Sequence, residues 1–296
     1  MDISGKLMLA PMAGITDVAF RSLCVDFGAD ITVSELTSDR AILHGAVGFS
    51  SLLKRADNES SFGIQLFGSD PSLLSRAAKL VEPECDFIDI NMGCPAPKVW
   101  SSGSGSALLE HPSRIHSIIS SVRSAISLPV SAKIRTGISD HSLAGPALDA
   151  CQRAGASWAT VHGRTRSQGY AGRADWLVIA SLKRDHSLPL IGNGDITSPS
   201  DITSAFDRGV DAVAIGRGAS GNPWLFSHKP RPASFSERFD VVSEYLALAS
   251  HHSIPLLHCK LQAQHFMKGI EGAASLRQSL SRARSISDIE RILTSR

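Results

Sequence analysis

Two side chains with chemical capability, Asn91 and Cys94, stand at the end of the short apolar run 86–91. A run of this length bounded by breaking residues is typical of a buried strand. Gly93 permits backbone angles that other residues avoid, and Pro95 removes a ladder donor, so the chain must turn there. Parallel α/β architectures carry out their chemistry at such strand ends. The alternative is a structural cysteine buried beside a turn.

Seven further runs share this strand length. They cover 7–10, 29–35, 62–68, 129–135, 157–163, 189–195 and 211–217. Helical patterns stand between most of them, including 112–125, 147–154, 176–182 and 200–206. Eight strands alternating with helices over about 220 residues predict an α/β fold, a (β/α)8 TIM barrel. An open doubly wound sheet is the alternative.

If the strands close into a barrel, their carboxyl ends meet at one rim. Polar side chains and glycines recur at these ends, whereas the strand bodies are apolar. They are Pro11, Met12, Ala13, Gly14, Glu35, Gln65, Asn91, Cys94, Lys133, Arg135, His162, Arg164, Asn193, Gly194, Asp195, Gly216 and Arg217. A purely structural barrel has no reason to collect them.

The last two rim loops indicate a phosphate site. Loops after strands seven and eight of a barrel often bind phosphate, and here 192–195 and 216–218 offer glycine backbone and one guanidinium. The run 216–221 also matches G-x-G-x-x-G. It follows the last strand and lacks an ensuing βαβ unit, so it is not a dinucleotide fingerprint.

Gln65 and Lys133 indicate a ring beside that phosphate. An amide and a cation that face a flat heteroaromatic ring can bind its carbonyls and stabilise negative charge in its reduced form. His162 also ends a strand and is a third candidate, with a hydrogen-bonded core histidine as the alternative. The three together predict a cofactor at the rim.

Composition indicates an ordinary globular protein. The chain has 296 residues, of which 43% are hydrophobic and 20% charged. Its apolar runs are far shorter than the roughly 20 residues that span a bilayer, and the N-terminus shows no signal-peptide pattern. Five scattered cysteines without CxxC spacing indicate reduced thiols in a cytoplasmic compartment. We therefore expect no membrane segment, no disulfide framework and no metal site.

The C-terminal part differs from the rest. After the proline-rich stretch 229–232, only helical patterns occur, over 235–250, 257–269 and two shorter stretches. We predict a barrel domain over 1–229 and a helical domain over 233–296. The net charge is only +2, but 258–296 holds seven Lys or Arg against three Asp or Glu. Such a tail is either a solvated helical face or a surface for an anionic partner.

Seven motifs, in this order along the chain, together resemble the tRNA-dihydrouridine synthases. They are 10–17, 65–68, 89–95, 133–135, 161–165, 192–196 and 215–219. Members of that family are FMN-dependent barrels with a helical C-terminal domain that reduce the C5=C6 bond of particular uridines in tRNA. The resemblance covers about 7–226 and is loose in the helical domain, which it implies to bind tRNA.

The resemblance implies FMN at the rim, with a role for each matching position. Pro11, Met12 and Ala13 would line the ring, Gln65 and Lys133 would bind its polar edge, His162 would lie close, and Asn193, Gly194, Asp195, Gly216 and Arg217 would hold the phosphate. NADPH, or more broadly NAD(P)H, is implied as a transient reductant.

The resemblance also assigns the chemistry. Hydride transfer to C6 of uracil leaves an enolate-like charge that a proton at C5 must quench. Cys94 would be this general acid, because a thiol is mostly protonated at pH 7. Asn91 would position the uracil.

A uridine in folded tRNA must be extruded to reach a barrel mouth, at a cost of about a few kcal/mol. Basic residues around the mouth and in the tail could offset that cost by binding phosphates. Around the mouth they are Lys98, Arg135, Arg164, Arg166 and Arg173, and in the tail Lys260, Lys268, Arg277, Arg282 and Arg284. Trp100 could stack on a base or pack under its loop.

Two other functions remain open from the residues alone. One is an FMN-dependent dehydrogenase of free pyrimidines, which the basic tail disfavours because a free base needs no such surface. The other is a non-catalytic RNA-binding barrel. The modified uridine and the oligomeric state cannot be read from the sequence, which is compatible with a monomer.

Overall fold

The eight predicted strands close into a barrel. The computed structural model describes residues 1–45 and 53–295. The strands in that part are β1 (Leu7–Leu9), β2 (Ile31–Val33), β3 (Thr37–Ser38), β4 (Phe62–Phe67), β5 (Phe87–Met92), β6 (Val130–Arg135), β7 (Trp158–His162), β8 (Leu190–Asn193) and β9 (Ala212–Ile215). All pairings are parallel, in the order β2-β1-β9-β8-β7-β6-β5-β4-β3, and a β2–β4 pairing completes the closure. The predicted TIM barrel is confirmed.

The predicted second strand, 29–35, is shorter in the structure, where β2 covers only Ile31–Val33 and a further short strand, β3, follows at Thr37–Ser38. β2 pairs with the start of β4, and the unpredicted β3 pairs with its end. Between them, the Gln65 main-chain amide donates to Ser34 Oγ at 3.0 Å, so a side-chain oxygen takes the place of a ladder partner. Glu35 then accepts a hydrogen bond from Gly14 N at 2.8 Å, which ties it to the first rim loop.

Strand register brings the polar rim residues side by side. The opposed pairs near the strand ends are Gln65 with Asp89, Asn91 with Lys133, Arg135 with His162, and His162 with Asn193. In parallel pairing, opposed residues lie at the same height on neighbouring strands. The five adjacent strands β4 to β8 therefore present one band of polar side chains.

Twelve helices surround the barrel or follow it in the described residues. They are α1 (Val18–Asp26), α2 (Asp39–Leu43), α3 (Pro71–Val81), α4 (Pro97–Ser101), α5 (Pro112–Ala125), α6 (Ala144–Arg153), α7 (Trp176–Asp185), α8 (Pro199–Phe206), α9 (Phe235–His251), α10 (Leu256–Phe266), α11 (Ala273–Arg282) and α12 (Ile286–Thr294). The predicted helices are confirmed to within a few residues. No helix in this part of the chain combines the length and apolarity needed to cross a membrane.

Local capping chemistry explains where several helices begin. Asp17 accepts from Phe20 N at the start of α1, and Asp70 accepts from two main-chain amides at the start of α3. Ser198 forms a reciprocal capping box with Asp201 at the start of α8. Each cap satisfies amides that have no partner within the helix.

Large side chains fill the amino-terminal half of the barrel interior. Phe87 and Trp158 lie edge to face with ring centroids 4.9 Å apart, and both are buried. Gly63 makes room for them, because a Cβ at that position would lie 2.2 Å from a Phe87 ring carbon. The apolar floor leaves the carboxyl-terminal half of the barrel for polar groups.

The C-terminal helices pack against the barrel at the first rim loop. Tyr245 of α9 donates to the carboxylate of Asp17 at 3.1 Å, and Gln262 of α10 donates to the carbonyl of Ile15 at 2.8 Å.

Helix α10 ends at Phe266, three residues before the predicted end. The division into two folding units stays a prediction.

A buried ion pair joins α1 to the segment before β4. Arg21 Nε lies 2.8 Å from Glu59 Oε1, and both side chains are almost completely buried. Thr32 Oγ1 and Ala56 N donate to the same carboxylate at 2.6 and 2.7 Å. The Arg21 guanidinium also lies over the Phe62 ring at 4.6 Å. Removing one partner leaves an uncompensated charge in the core.

Replacing Glu59 with glutamine should therefore lower the free energy of unfolding by about 3–5 kcal/mol, measured by urea denaturation. The control is Lys79→Gln, which breaks an exposed ion pair with Glu82 and should leave the free energy of unfolding close to the wild-type value. If both variants lost the same amount of unfolding free energy, the buried Arg21–Glu59 pair would not have the stabilising role assigned to it.

Candidate active site

A cavity of about 410 Å³ opens at the carboxyl ends of the strands. Every residue predicted as catalytic or cofactor-binding lines it, as do three predicted substrate residues. The former are Pro11, Met12, Ala13, Gln65, Cys94, Lys133, His162, Asn193, Gly194, Asp195, Gly216 and Arg217, and the latter are Asn91, Arg135 and Lys268. The structure thus brings together residues from all parts of the barrel and one from the helical region.

Cys94 lies half-buried in the cavity wall, on a turn that its neighbours hold rigidly. Asn91 Oδ1 accepts from the main-chain amides of Gly93 at 3.2 Å and Cys94 at 2.9 Å. Ser106 Oγ donates to the Cys94 carbonyl at 2.9 Å. Gly105 permits this approach, because a Cβ there would lie 2.9 Å from the same carbonyl oxygen. The thiol therefore sits on a fixed backbone.

Below Asn91, a chain of buried side chains leads into the barrel. Asn91 Nδ2 donates to Gln65 Oε1 at 2.9 Å, and Gln65 Nε2 donates to Asp89 Oδ2 at 2.7 Å. Ser131 Oγ donates to the other Asp89 oxygen at 2.6 Å. Burial raises the pKa of Asp89, although the hydrogen bonds from Gln65 and Ser131 and the charge of Lys133 oppose this. The sequence analysis gave Asp89 and Ser131 no role.

Lys133 provides a titratable cation in the cavity. Its Nζ lies 3.4 Å from Asn193 Oδ1, and Asn193 Nδ2 donates to the Ala214 carbonyl at 2.8 Å, which orients that amide. Desolvation, followed by repulsion from Arg135, lowers the pKa of Lys133 to about 8. The amine is therefore charged at neutral pH and loses its charge in mildly alkaline solution.

His162 is neutral in this environment. Burial and the nearby cations Lys133, Arg135, Arg164 and Arg217 lower its pKa to about 2. Its Nε2 lies 3.3 Å from Arg164 Nη1. A guanidinium can only donate, so Nε2 must accept and Nδ1 carries the proton. The cavity thus holds a donor imidazole in a single tautomer.

Asp195 organises the corner predicted to bind phosphate. Arg164 Nη2 contacts both its oxygens at 2.7 Å, Ala174 N donates at 2.7 Å, and Arg217 Nη2 donates at 3.3 Å. Burial opposes ionisation, but these donors prevail and lower the pKa of Asp195. Its carboxylate would repel a phosphate. Asp195 can therefore support anion binding only by orienting Arg217 and the Gly194 turn.

Arg164 has different neighbours from those predicted. It is only 2% exposed, and its guanidinium donates to the carbonyls of Ala171 and Gly172 as well as to Asp195. This structure gives it contacts within the protein in place of the predicted contact with the nucleotide. Its guanidinium stabilises the loop after β7 and donates to His162 Nε2, which fixes the tautomer of that ring.

Tyr170 is a cavity residue that the sequence analysis missed. Its exposed ring lies 4.4 Å from the guanidinium carbon of Arg217 and 5.7 Å from that of Arg135. An aromatic residue in a loop directly after a strand end was the available signal. Two guanidinium groups beside one ring form an exposed aromatic wall at the cavity mouth.

Arg166 and Trp100 pack on each other. The Arg166 guanidinium lies 3.8 Å from the Trp100 ring centroid, which joins the loop after β7 to α4. This contact covers one face of the Trp100 ring, and stacking of a base on the other face stays a prediction. The contact also occupies Arg166, which was predicted to contact tRNA. Lys98, in the same helix, is exposed.

The other predicted basic residues lie outside the cavity lining. Lys260 Nζ donates to the Ser281 carbonyl at 3.1 Å, so its charge lies at the carboxyl end of α11. Arg277 is half-buried, and the remaining members of the set are exposed. These are Arg173, Arg282 and Arg284.

The donors of the cavity fit a planar ring with carbonyl oxygens that also carries a phosphate. Gln65, Lys133 and the neutral His162 offer hydrogen bonds, and Gly194 has a φ of 126° that side chains rarely adopt. A Cβ at Gly194 would also lie 2.5 Å from Ala174 Cβ, so the cradle needs glycine. Within 1–45 and 53–295, no group of three or more His, Cys, Asp or Glu is placed to hold a metal.

Comparison with known proteins identifies a matching family and similar chains. The family model described as dihydrouridine synthase matches residues 8–292. The tRNA-dihydrouridine synthase B of Shewanella oneidensis is 38% identical over 256 residues, which are 82% of this chain and 80% of that protein. The human tRNA-dihydrouridine(47) synthase [NAD(P)(+)]-like is 36% identical over 85% of this chain and 40% of its own length.

A solved structure supports the fold independently. A 2-naphthoyl-CoA reductase in complex with 2-naphthoyl-CoA superposes with a TM-score of 0.61 over 75% of this chain and 49% of that one. The sequence identity is only 11%, so the likeness concerns the barrel alone.

The tautomer of His162 can be checked directly. Long-range ¹H–¹⁵N spectra should show a neutral ring protonated at Nδ1 whose signals do not move between pH 5 and 8, because its pKa is about 2. In the unfolded state the pKa of His162 returns to about 6.5, so below that pH the unfolded chain binds a proton that the folded protein does not. The free energy of unfolding should therefore decrease as pH falls through about 6.5. The urea-unfolded protein is the control, and titration of the folded ring near 6.5 would contradict this.

Proposed function

The chain belongs to the dihydrouridine synthase family, and we propose that it reduces the C5=C6 bond of specific uridines in tRNA to 5,6-dihydrouridine. One observation carries the proposal. Cys94, Lys133 and Asn91 line the same cavity as the glycine turns beside Arg217. A proton donor, a cation, an amide and an anion cradle are the parts that this reaction requires.

A flavin is the cofactor of this site, and FMN is the form that we propose. The ring would lie against Pro11, Met12 and Ala13, with Gln65 and Lys133 at its polar edge. His162 would lie close to it, and Asn193, Gly194, Gly216 and Arg217 would hold the phosphate, with Asp195 orienting Arg217. When bound, the reduced cofactor supplies a hydride for C6 of uracil.

Cys94 then supplies the proton for C5. Its thiol lies on a turn whose amides are fixed by Asn91, so the donor does not need to be reoriented during the reaction. Cys94 shares the cavity with the side chains of Lys133 and Arg135. After the transfer, solvent would return a proton to the Cys94 sulfur.

The tRNA must deliver an extruded uridine to the cavity. Tyr170, supported by Arg135 and Arg217, offers an aromatic wall for a base. Lys268 brings a positive charge from the helical region to the same mouth. Phosphate contacts further away would come from exposed basic residues, among which we place Lys98, Arg173, Arg282 and Arg284. Lys260 and Arg277 would add to the same field, and Arg166 could contribute after release from Trp100.

We propose NADPH as the reductant. The name of the human relative indicates NAD(P)(+), and this chain has no dinucleotide fingerprint after a first strand. The reductant would therefore bind transiently over the cavity. Because its substrate is tRNA and its five cysteines are free thiols, we place the protein in the cytoplasm.

Mass mapping of dihydrouridine in tRNA after incubation with the protein, FMN and NADPH tests the proposal. We expect new dihydrouridine at defined positions. Reduction of free uracil with none on tRNA would instead support a free-pyrimidine enzyme. Protein that binds tRNA but retains no flavin and forms no product would support a non-catalytic barrel.

Replacing Cys94 with alanine should lower the rate of dihydrouridine formation by about 10²–10⁴-fold, the usual contribution of a general acid. Flavin content and tRNA affinity should be retained, since the turn and the cavity remain. The matched control is Cys85→Ala, whose thiol contacts the Val81 carbonyl outside the cavity. An unchanged product yield in the Cys94 variant would remove this residue from the acid role.

Replacing Lys133 with methionine should weaken flavin binding by about 10- to 100-fold, because one charge-assisted hydrogen bond is lost. In the wild type, flavin affinity should fall as pH rises through about 8, where the amine loses its charge. The variant should lack this dependence. Fluorescence titration with FMN from pH 6 to 9 measures both effects, and a variant with the wild-type pH profile would contradict them.

A further inference from the structure

Two amide side chains in the cavity, Gln65 and Asn91, have orientations that their neighbours determine. An amide can present either its oxygen or its nitrogen to a given neighbour, so its orientation follows from the hydrogen-bond network. At one end of the network, the main-chain amides of Gly93 and Cys94 can only donate, and both point at Asn91 Oδ1. Asn91 must therefore turn its nitrogen toward Gln65.

The other end of the network imposes the same direction. Asn91 Nδ2 donates to Gln65 Oε1, so Gln65 Nε2 must find an acceptor on its far side. Asp89 Oδ2 is that acceptor at 2.7 Å. The Asp89 side chain is 3% exposed and Gln65 is 1% exposed, so water has little access to either. An apolar side chain at position 89 would leave a buried donor without a partner.

The hydrogen bonds that remain free define what the cavity can recognise. Asn91 Oδ1 already accepts two hydrogen bonds, and one of the two Nδ2 hydrogens is used by Gln65. The amide has one N–H left and no unused strong acceptor position. Gln65 likewise keeps one N–H. Both side chains can therefore bind carbonyl oxygens, and Asn91 cannot accept a hydrogen bond from an exocyclic amino group.

We propose that Asp89 is a positioning residue that fixes Gln65 and Asn91 as donors, holds the Cys94 turn, and restricts the groups facing Asn91 to carbonyl oxygens. This inference rests on the proposed function. Uracil carries a carbonyl oxygen at C4 and cytosine carries an amino group there, so an Asn91 amide that can only donate favours uridine over cytidine where it faces C4 of the base. Asp89 is not among the residues that line the cavity, so it acts through the two amides.

Two substitutions separate an orienting role from a merely structural one. Asp89→Leu removes the acceptor and keeps the branched shape of the side chain, so Gln65 Nε2 loses its partner and only Asn91 still orients the Gln65 amide. Asp89→Asn keeps an oxygen for Gln65 Nε2, while its nitrogen can donate to Ser131 Oγ. We expect the asparagine variant to restore what the leucine variant loses.

The first measurement uses the protein without cofactor or tRNA. In ¹⁵N spectra, the side-chain amide signals of Gln65 and Asn91 should shift or broaden in Asp89→Leu and stay near their wild-type positions in Asp89→Asn. Asp39→Leu removes another buried carboxylate and should leave both signals in place. A circular-dichroism melt of each variant establishes that it is folded. If Asp89→Leu fails to fold, Asp89→Ala with the same spectra decides.

The second measurement follows dihydrouridine formation at saturating tRNA and FMN. We expect kcat to fall at least tenfold in Asp89→Leu and less than threefold in Asp89→Asn. Unmoved amide signals in the leucine variant, or equal loss of kcat in the two variants, would overturn the inference. If the wild type formed no dihydrouridine, this result would count against the proposed function only. The role of Asp89 would still be decided by the amide spectra, which are recorded without cofactor or tRNA.

Discussion

Closure of the parallel barrel is the constraint on which the site depends. Only two residue pairs, Thr32 with Phe62 and Val33 with Gly63, join β2 to β4. Gly63 must be small, because the Phe87 ring fills the space beside it. Since every strand runs in the same direction, closure turns eight separate loops into one ring. A break in this seam would move the end of β2 away from the residues on β4, although β1 would stay paired with β9.

Desolvation lowers the pKa of both His162 and Lys133, but it leaves the two side chains in different charge states at neutral pH. His162 and Lys133 occupy the same cavity, yet burial and mutual repulsion leave the imidazole neutral and the amine charged at neutral pH. The difference arises because an amine begins with a pKa about four units above that of an imidazole. A common environment therefore yields one neutral donor and one cation, although neither forms a salt bridge with the part of the chain that the structure describes.

The sequence allowed prediction of the barrel and of the cavity lining, because apolar runs mark strands and parallel strands place their ends together. It could not assign Arg164 or Arg166, since an arginine near a rim can face solvent or hold its own loops. Trp100 was open for the same reason. Tyr170 and Asp89 were missed, because their importance lies in contacts across strands, which spacing along the chain does not show.

Two arginines, Arg231 in the proline-rich stretch and Arg238 in α9, have a consequence for how this architecture can diversify. Arg231 and Arg238 bind the carbonyls at the end of α10, including those of Phe266 at 2.7 Å and Lys268 at 2.8 Å. Lys268 itself lines the cavity. A chimera that exchanged the helical region between relatives would therefore also exchange a wall of the reaction chamber. The helical region and the barrel therefore cannot vary independently, because Lys268 belongs to the first and lines the cavity of the second.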